Sequence, residues 1–108
     1  MNRGDIYLVS LDPTLGHEQS GSRPVLIVSP TVFNHATQLP VICPITTGGA
    51  FASRLGFAVS ITGINTTGIV RCDQPRVIDL SARDAHKVDT LPANIMDDVL
   101  AKVSTLFE

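Results

Sequence analysis

The chain lacks segments that would place it in or across a membrane. Its 108 residues include no apolar run long enough to span a bilayer, and the N-terminus carries no apolar signal region. Only 17% of the residues are charged, 44% are hydrophobic, and the net charge is −2. This balance is typical of one folded domain covering residues 1–108. Because it gives no overall attraction to nucleic acid, any polyanion has to meet a local basic cluster. We expect a cytoplasmic protein with no membrane partner.

Cysteine and histidine are scarce, which argues against several kinds of site. The two cysteines, Cys43 and Cys72, both lie in apolar stretches, where a free thiol behaves as a small buried hydrophobe. The sequence therefore favours reduced core thiols over a disulfide. His17, His35 and His86 do not fall at zinc-ligand spacing. No phosphate-cradling glycine motif and no nucleophile elbow around a serine are present. We expect neither a metal nor a cofactor.

Short β-branched runs separated by turn signals predict a mainly β protein. The predicted strands cover residues 5–11, 25–29, 41–46, 56–61, 66–75, 76–80 and 87–89, and residues 31–37 have room for a helical turn. Pro44 cannot donate to a ladder, so an edge or a bulge is expected there. After Pro92, apolar residues recur at helical spacing as Ile95, Val99 and Val103 and continue to 107, which predicts one amphipathic helix. The whole pattern predicts a small, strongly bent antiparallel sheet or partly open barrel with this helix at its C-terminus.

The stretch from 66 to 76 holds the strongest candidate for chemistry. If it is one strand, Val70 and Cys72 point into the core, and Arg71 and Asp73 lie on the opposite face with Cα atoms roughly 6.5–7 Å apart. A cation beside a carboxylate is either a surface ion pair or half of an active site. Spacing alone favours the ion pair.

Two polar loops, at 15–23 and 47–54, bring further groups that can close over this face. The groups are those of His17, Arg23, Thr46, Thr47 and Arg54. A carboxylate, an imidazole and guanidinium groups without a metal suit RNA cleavage, in which a base deprotonates the 2′-OH and cations stabilise the phosphorane. Each residue has an ordinary alternative. A loop histidine is more often solvated surface, the arginines serve solubility, and Phe57 is core.

Several motifs occur together and in the order found in one known family. They are RGDI at 3–6, DPT at 12–14, GHEQ at 16–19, RPVLIV at 23–28, GGAFA at 48–52 and TTGIVRCDQP at 66–75. The chain resembles the PemK/Kid branch of the MazF-type toxins of bacterial type II toxin–antitoxin systems over essentially its whole length. The resemblance implies an SH3-like barrel of the CcdB/MazF type and a homodimer. It also implies an endoribonuclease that cuts single-stranded mRNA with sequence preference and so inhibits translation and growth. A cognate antitoxin is implied as partner, and operator DNA is implied as a ligand of the toxin–antitoxin pair.

Carried over position by position, the resemblance also implies roles for individual residues. Asp73 matches the general base, Arg71 the acid and phosphate stabiliser, and His17 an assisting residue. Because the pKa of arginine lies above ~12, we treat Arg71 as an electrostatic clamp and His17 as a candidate proton donor. The positions that match the RNA-binding groove are Asp5, Arg23, Thr46, Thr47, Leu55, Phe57, Thr67 and Ile69.

A different class of function fits the same barrel. Toxins of the CcdB type bind and poison DNA gyrase and cleave nothing, acting through a C-terminal helix with an aromatic signature that contains tryptophan. This chain has no tryptophan and ends in Leu106, Phe107 and Glu108. A gyrase binder would also have no use for the set of Arg71, Asp73 and His17. RNA cleavage is therefore the favoured interpretation, with gyrase poisoning as the alternative.

Overall fold

The computed structural model describes residues 1–10, 22–47 and 54–108. Within these ranges the chain forms seven strands and the helices α1 and α2. In chain order they are β1 Asp5–Ser10, β2 Ser22–Ile27, α1 Thr31–Thr37, β3 Val41–Thr46, β4 Ala58–Ser60, β5 Ile69–Arg71, β6 Arg76–Val77, β7 His86–Thr90 and α2 Ala93–Ser104. Single 3₁₀ turns lie at Ser81–Arg83, between β6 and β7, and at Thr105–Phe107, after α2. In the described part of the chain, no helix combines the length and apolarity needed to cross a membrane.

The strands form one antiparallel sheet that bends into a barrel. Its path runs β4-β5-β3-β2-β1-β7, and β6 pairs with β3 beside β5. At the two ends of this path, β7 and the β4–β5 connection (residues 61–68) are joined by hydrogen bonds to one side chain. Asp89 of β7 accepts hydrogen bonds from the backbone and the hydroxyl of Thr66, which precedes β5. The predicted antiparallel barrel with a C-terminal helix is confirmed.

Two apolar clusters fill the fold, one on each face of β2. Leu26 belongs to the main cluster, which is closed by Met96 and Val99 of α2. Its neighbours Val25 and Ile27 point the other way, into the second cluster. Burying an aliphatic side chain of this size stabilises the fold by about 1.5–3 kcal/mol. The continuous apolar run of β2 is thus the centre of the sheet, as its composition predicts.

Helix α2 begins after Pro92, which takes the N-cap position in an extended conformation. Met96 and Val99 are buried, which confirms the predicted amphipathic face. The regular helix ends at Ser104, earlier than the apolar pattern suggests. Beyond it Leu106 and Phe107 are 39% and 79% exposed, so the last apolar residues do not continue the packed face within this chain.

Strand β3 is not an edge strand, because it has partners on both sides, but Pro44 itself is paired only with β2, in agreement with the local break in pairing expected there. Its register with β2 is continuous through the proline. On the other side, β3 pairs with β6 at Val41 and Ile42 and with β5 at Ile45 and Thr46. Pro44 lies between these two short ladders, where its missing N–H removes no bond from either.

A buried polar network joins the N-terminus to the connection between β2 and β3. Asn34 of α1 is fully buried, and its Nδ2 donates to the carbonyls of Met1 at 2.8 Å and Ser29 at 3.0 Å. The Ser29 hydroxyl donates to Asn34 Oδ1 and accepts from the backbone N–H of Val41 at 2.8 Å. This Ser29–Asn34 network ties together three segments that are far apart in the sequence.

Candidate active site

Arg71 is the last residue of β5, and Asp73 lies in the turn that follows. The predicted strand over 66–75 is therefore too long. A hydrogen bond of 3.1 Å from the Gln74 N–H to the Arg71 carbonyl closes the turn. The alternation expected from the sequence still holds, since Val70 and Cys72 are fully buried while Arg71 and Asp73 are half-buried.

Arg71 and Asp73 form a bidentate ion pair. Arg71 Nε donates to Asp73 Oδ1 at 2.9 Å and Nη2 donates to Oδ2 at 2.8 Å. The planar guanidinium fork matches the two carboxylate oxygens, the strongest form of this interaction. The side chains remain 17% and 20% exposed. A ligand in solvent can therefore reach both groups.

The pair sets the charge of its members. The hydrogen bond from Arg71 holds the pKa of Asp73 below its ordinary value, and the same bond raises the pKa of Arg71. Both groups are ionised at neutral pH. Two of the five guanidinium N–H groups bond to Asp73, and within the described residues no other acceptor takes the remaining three. As far as the described residues go, Arg71 thus keeps donors for an anion.

Strand pairing gathers several of the predicted RNA-binding residues around this pair. Thr46 of β3 lies directly opposite Ile69 of β5, and Ala58 of β4 lies opposite Arg71. Opposite residues share a face of the sheet, and so do residues two apart on one strand. Thr46, Ile69 and Arg71 therefore lie on one face of the sheet, with Thr46 beside Ile69 and Arg71 two residues further along β5.

The remaining groove candidates lie at the ends of these strands. Thr47 follows β3, Thr67 precedes β5, and Leu55 is in the turn before β4; all three are exposed. Phe57 is half-buried and packs against the main core, in agreement with the alternative that it is a core residue. Its carbonyl accepts the N–H of Cys72 at 3.0 Å. The strand registers thus place Leu55 and Phe57 toward the Arg71 end of β5, and Thr47 and Thr67 at the other end of this three-residue strand, where Thr46 lies opposite Ile69.

Asp5 is the candidate that the structure separates from the others. It is 4% exposed and lies on β1, which β2 and β3 separate from β5. Its carboxylate accepts the N–H of Asn2 at 2.9 Å and pairs with Lys87 at 3.2 Å. These bonds hold the N-terminal turn and β7, so the geometry gives Asp5 a structural role.

Two further candidates lie toward the first polar loop. Arg23 is half-buried on β2, opposite Val9 of β1. His17 lies outside the described residues, as do positions 11–21 around it. Arg54, in the second loop, is exposed and makes its own polar interactions. The role of His17 therefore stays a prediction from the sequence.

The thiols and the acidic groups show no sign of a second reactive centre. Cys43 and Cys72 are free and buried, which confirms the predicted reduced core thiols. Burial raises the pKa of Cys43 to about 12 and that of Cys72 to about 11. Neutral buried thiols are poor nucleophiles. In the parts of the chain that the structure describes, no group of three His, Cys, Asp or Glu side chains is placed to hold a metal ion.

Sequence reasoning missed the contact between Asp89 and Thr66. The hydrogen bonds from the Thr66 N–H and hydroxyl to Asp89 are both 3.0 Å long. They link positions separated by 23 residues, and no local pattern connects an aspartate near the end of one strand with a threonine in a distant turn. Only the closure of the barrel brings the two together.

The chain is similar to known proteins over nearly its whole length. A family model described as the PemK-like, MazF-like toxin of type II toxin–antitoxin systems matches residues 2–107. Endoribonuclease PemK of Escherichia coli is 58% identical over 98% of this chain and 81% of that protein. Endoribonuclease toxin MazF of E. coli K12 is 33% identical over 95% of this chain and 90% of that protein. The MazE–MazF (Form-II) crystal structure from Deinococcus radiodurans has a TM-score of 0.86 at 30% identity, covering 99% of this chain and 95% of that one. On these matches, the chain belongs to the PemK-like, MazF-like toxins of type II toxin–antitoxin systems.

Proposed function

We propose that this toxin is an endoribonuclease that cuts single-stranded mRNA at preferred sequences, without a metal or another cofactor, and so inhibits translation and growth. Residues 1–108 act as one toxin domain. The observation that carries the proposal is the solvent-accessible, bidentate Arg71–Asp73 pair at the end of β5. The names of the 58% and 33% identical relatives, both endoribonucleases, support it.

The proposed reaction is an internal transesterification. Asp73 takes the proton of the 2′-hydroxyl, whose oxygen then attacks the adjacent phosphorus. Arg71 stabilises the negative charge that develops on the phosphorane oxygens. The bond from phosphorus to the 5′-oxygen breaks, and a proton reaches that oxygen from His17. The products are a 2′,3′-cyclic phosphate and a 5′-hydroxyl end.

The resting ion pair affects how such a base is activated. While Arg71 holds it, Asp73 has a lowered pKa and is a weak base. A phosphate group competes for the same guanidinium fork, since Arg binds phosphate and carboxylate with the same geometry. When Arg71 turns toward the phosphate, the bond that lowers the pKa of Asp73 is lost. Substrate binding therefore raises the basicity of Asp73 at the moment it is needed.

The RNA lies, on this proposal, across the ends of β3, β4 and β5. Thr46 and Ile69 are on the same face as Arg71, and the exposed positions 47, 55 and 67 surround them. The proposed contacts are those of Arg23, Thr46, Thr47, Leu55, Phe57, Thr67 and Ile69. The exposed side chains at positions 47, 55 and 67 differ in shape and polarity, so that the groove can distinguish bases. Asp5 is left out, because its carboxylate is buried and bonded within the chain.

The same proposal includes the partners. The toxin acts in the cytoplasm as a homodimer, is neutralised by a cognate antitoxin, and binds operator DNA only together with that antitoxin. The Deinococcus relative crystallised as a MazE–MazF complex. We propose that the antitoxin lays a partly disordered tail over the RNA groove and folds on binding. Slower amide exchange at Phe57 and Thr67 in the complex checks this, and unchanged exchange at both contradicts it.

The test is cleavage of a mixed-sequence single-stranded RNA in EDTA. Wild type is expected to cut it and to leave 2′,3′-cyclic phosphate ends, whereas Asp73→Asn is expected to cut it poorly. Asp84→Asn serves as the matched control, because Asp84 is exposed and Asn tolerates its positive φ of 48° equally well. If wild type cuts no RNA but inhibits gyrase supercoiling, the gyrase alternative replaces this proposal.

A further inference from the structure

Asp89 connects the last strand of the sheet path to the segment that precedes the candidate active site. Its Oδ2 accepts both the N–H and the hydroxyl of Thr66, each at 3.0 Å, and its Oδ1 accepts the N–H of Thr90 at 3.1 Å. Thr66 belongs to the β4–β5 connection, residues 61–68. Without Asp89, this connection has no side-chain bond to β7 among the described residues.

The other end of the β4–β5 connection is held against β3. Gly68 has a φ of +122°, and a Cβ there would lie 2.6 Å from the carbonyl oxygen of Thr46. Its own carbonyl accepts the N–H of Ile61 at 3.0 Å. Only glycine combines this conformation with so close an approach. The backbone is therefore fixed directly after Thr67 as well as directly before it.

Thr67 is thus an exposed residue held between two anchors. On one side Thr66 is bonded to Asp89, and on the other Gly68 is seated against Thr46. Within the described residues, Asp89 makes no bond to Arg71 or Asp73. Among the described residues, its side-chain link toward the site is the bond to Thr66, which acts through the position of the β4–β5 connection.

We propose that Asp89 is a positioning residue that, together with Thr66, sets RNA affinity and sequence preference by holding Thr67 against the groove. The inference rests on the proposed endoribonuclease function. A connection ordered before RNA arrives does not have to be ordered on binding, and so favours binding without affecting the chemical step. The acceptor is a carboxylate, and hydrogen bonds to an ionised acceptor are about twice as strong as neutral ones. The bond from the Thr66 N–H is also the chief reason that the pKa of Asp89 lies below its ordinary value.

The experiment compares Asp89→Ala and Thr66→Val with wild type on single-stranded RNAs that differ by one base near the cut. Asp89→Ala is expected to raise KM about tenfold, and to reduce the preference between these RNAs by a similar factor, with kcat changed less than about twofold. Thr66→Val removes only the hydroxyl bond, so we expect a rise in KM of about threefold. Thr66→Ser is expected to restore wild-type values. The double variant is expected to equal Asp89→Ala, because both changes break one contact.

Asp79→Ala is the matched control. The Asp79 carboxylate also holds a turn, accepting the Ser81 N–H at 3.1 Å and the Ser81 hydroxyl at 2.7 Å. That turn follows β6, which pairs with β3 at the end remote from Thr46. Equal effects of Asp79→Ala and Asp89→Ala overturn the inference, as does a fall in kcat at constant KM. If Asp89→Ala does not fold, Thr66→Val and Thr66→Ser decide the question. Absence of cleavage by wild type overturns the proposed function itself, and this inference with it.

Discussion

The Ser29–Asn34 network and the Arg71–Asp73 pair use strong hydrogen bonds in opposite ways. The network is neutral and buried, and it joins the N-terminus, α1 and β3. The pair is charged and about one-fifth exposed, and its members are two residues apart, so that it joins nothing distant. Burial and long-range connection mark polar groups that hold a fold. Local pairing within reach of solvent marks groups that are available to a ligand.

The energies of the two sites differ for the same reasons. Removing one partner from a buried hydrogen bond leaves the other unsatisfied, which costs about 1–3 kcal/mol per group. In the described residues, every buried side-chain nitrogen or oxygen already has a partner, so no unpaired buried side chain there can replace a lost donor. A partly exposed ion pair stabilises a protein by about 0–1 kcal/mol. The network therefore contributes to stability and the pair contributes little.

Arg71→Ala is expected to have the largest effect. Loss of the clamp on the phosphorane should lower kcat/KM for RNA by about 10³-fold. Arg71→Lys keeps a charge but lacks the fork, and should recover about tenfold of this loss. Arg76→Ala, at an exposed arginine of β6, is the control and should cut like wild type. Initial rates on one RNA measure all three. Rates for Arg71→Ala within tenfold of wild type would mean that the clamp is elsewhere.

Asn34→Ala is the matching change in the buried network. It leaves the Ser29 and Met1 carbonyls without their donor and opens a small cavity, so we expect the free energy of unfolding to fall by about 2–3 kcal/mol. Asn94→Ala, at an exposed position of α2, should change it by less than about 0.5 kcal/mol. Urea unfolding measures both. An equally small effect of the two variants would show that the Ser29–Asn34 network does not stabilise the fold.

These two sites show that local features can be predicted from a sequence, whereas contacts between distant residues cannot. Alternation along a strand is local, so the inward Val70 and Cys72 and the outward Arg71 and Asp73 follow from spacing alone. The end of β5 at Arg71 and the place of Pro44 do not, because both depend on which strand pairs where. The buried Asn34 reads as an ordinary helix residue, since its acceptors lie far away in the chain. For the same reason, no local pattern in the sequence predicts the contact between Asp89 and Thr66.

The two buried thiols give a further contrast between buried neutral groups and partly exposed charged ones. Cys72, which is neutral, lies in the sequence between the two charged residues of the pair. Burial raises the pKa of Cys43 to about 12 and of Cys72 to about 11. Below the unfolded pKa of about 8.5, both states carry neutral thiols and stability is complete. As pH rises above that value, only the unfolded chain ionises, so stability is lost until the folded pKa is passed. Between pH 9 and 10 the expected loss is about 1 kcal/mol per thiol.

Urea midpoints at these pH values test the effect of the thiols. The slope against pH should be shallower in Cys43→Ala, although this variant starts from a lower stability. An identical slope in wild type and Cys43→Ala would show that the alkaline loss comes from other groups.

A smaller effect concerns the pH dependence of cleavage. The acid limb of the pH profile of kcat/KM reports the pKa of the base in the free enzyme, where Arg71 holds the pKa of Asp73 low. The acid limb of kcat reports the pKa of the same base in the RNA complex. If the phosphate takes Arg71 away, the acid limb of kcat should lie at higher pH than the acid limb of kcat/KM, because the bond that lowers the pKa of Asp73 is lost in the complex. Coincident limbs would show that the pair stays closed on the substrate.

The most direct measurement determines unfolding and cleavage together for Asp73→Asn and Asn34→Ala. Asp73→Asn should unfold within about 1 kcal/mol of wild type, yet cut RNA at least about 10²-fold more slowly. Asn34→Ala should lose about 2–3 kcal/mol of stability, while its folded fraction cuts within a few-fold of wild type. Asp73→Asn that is as unstable as Asn34→Ala and still cuts at the wild-type rate would contradict the division between a pair for chemistry and a network for folding.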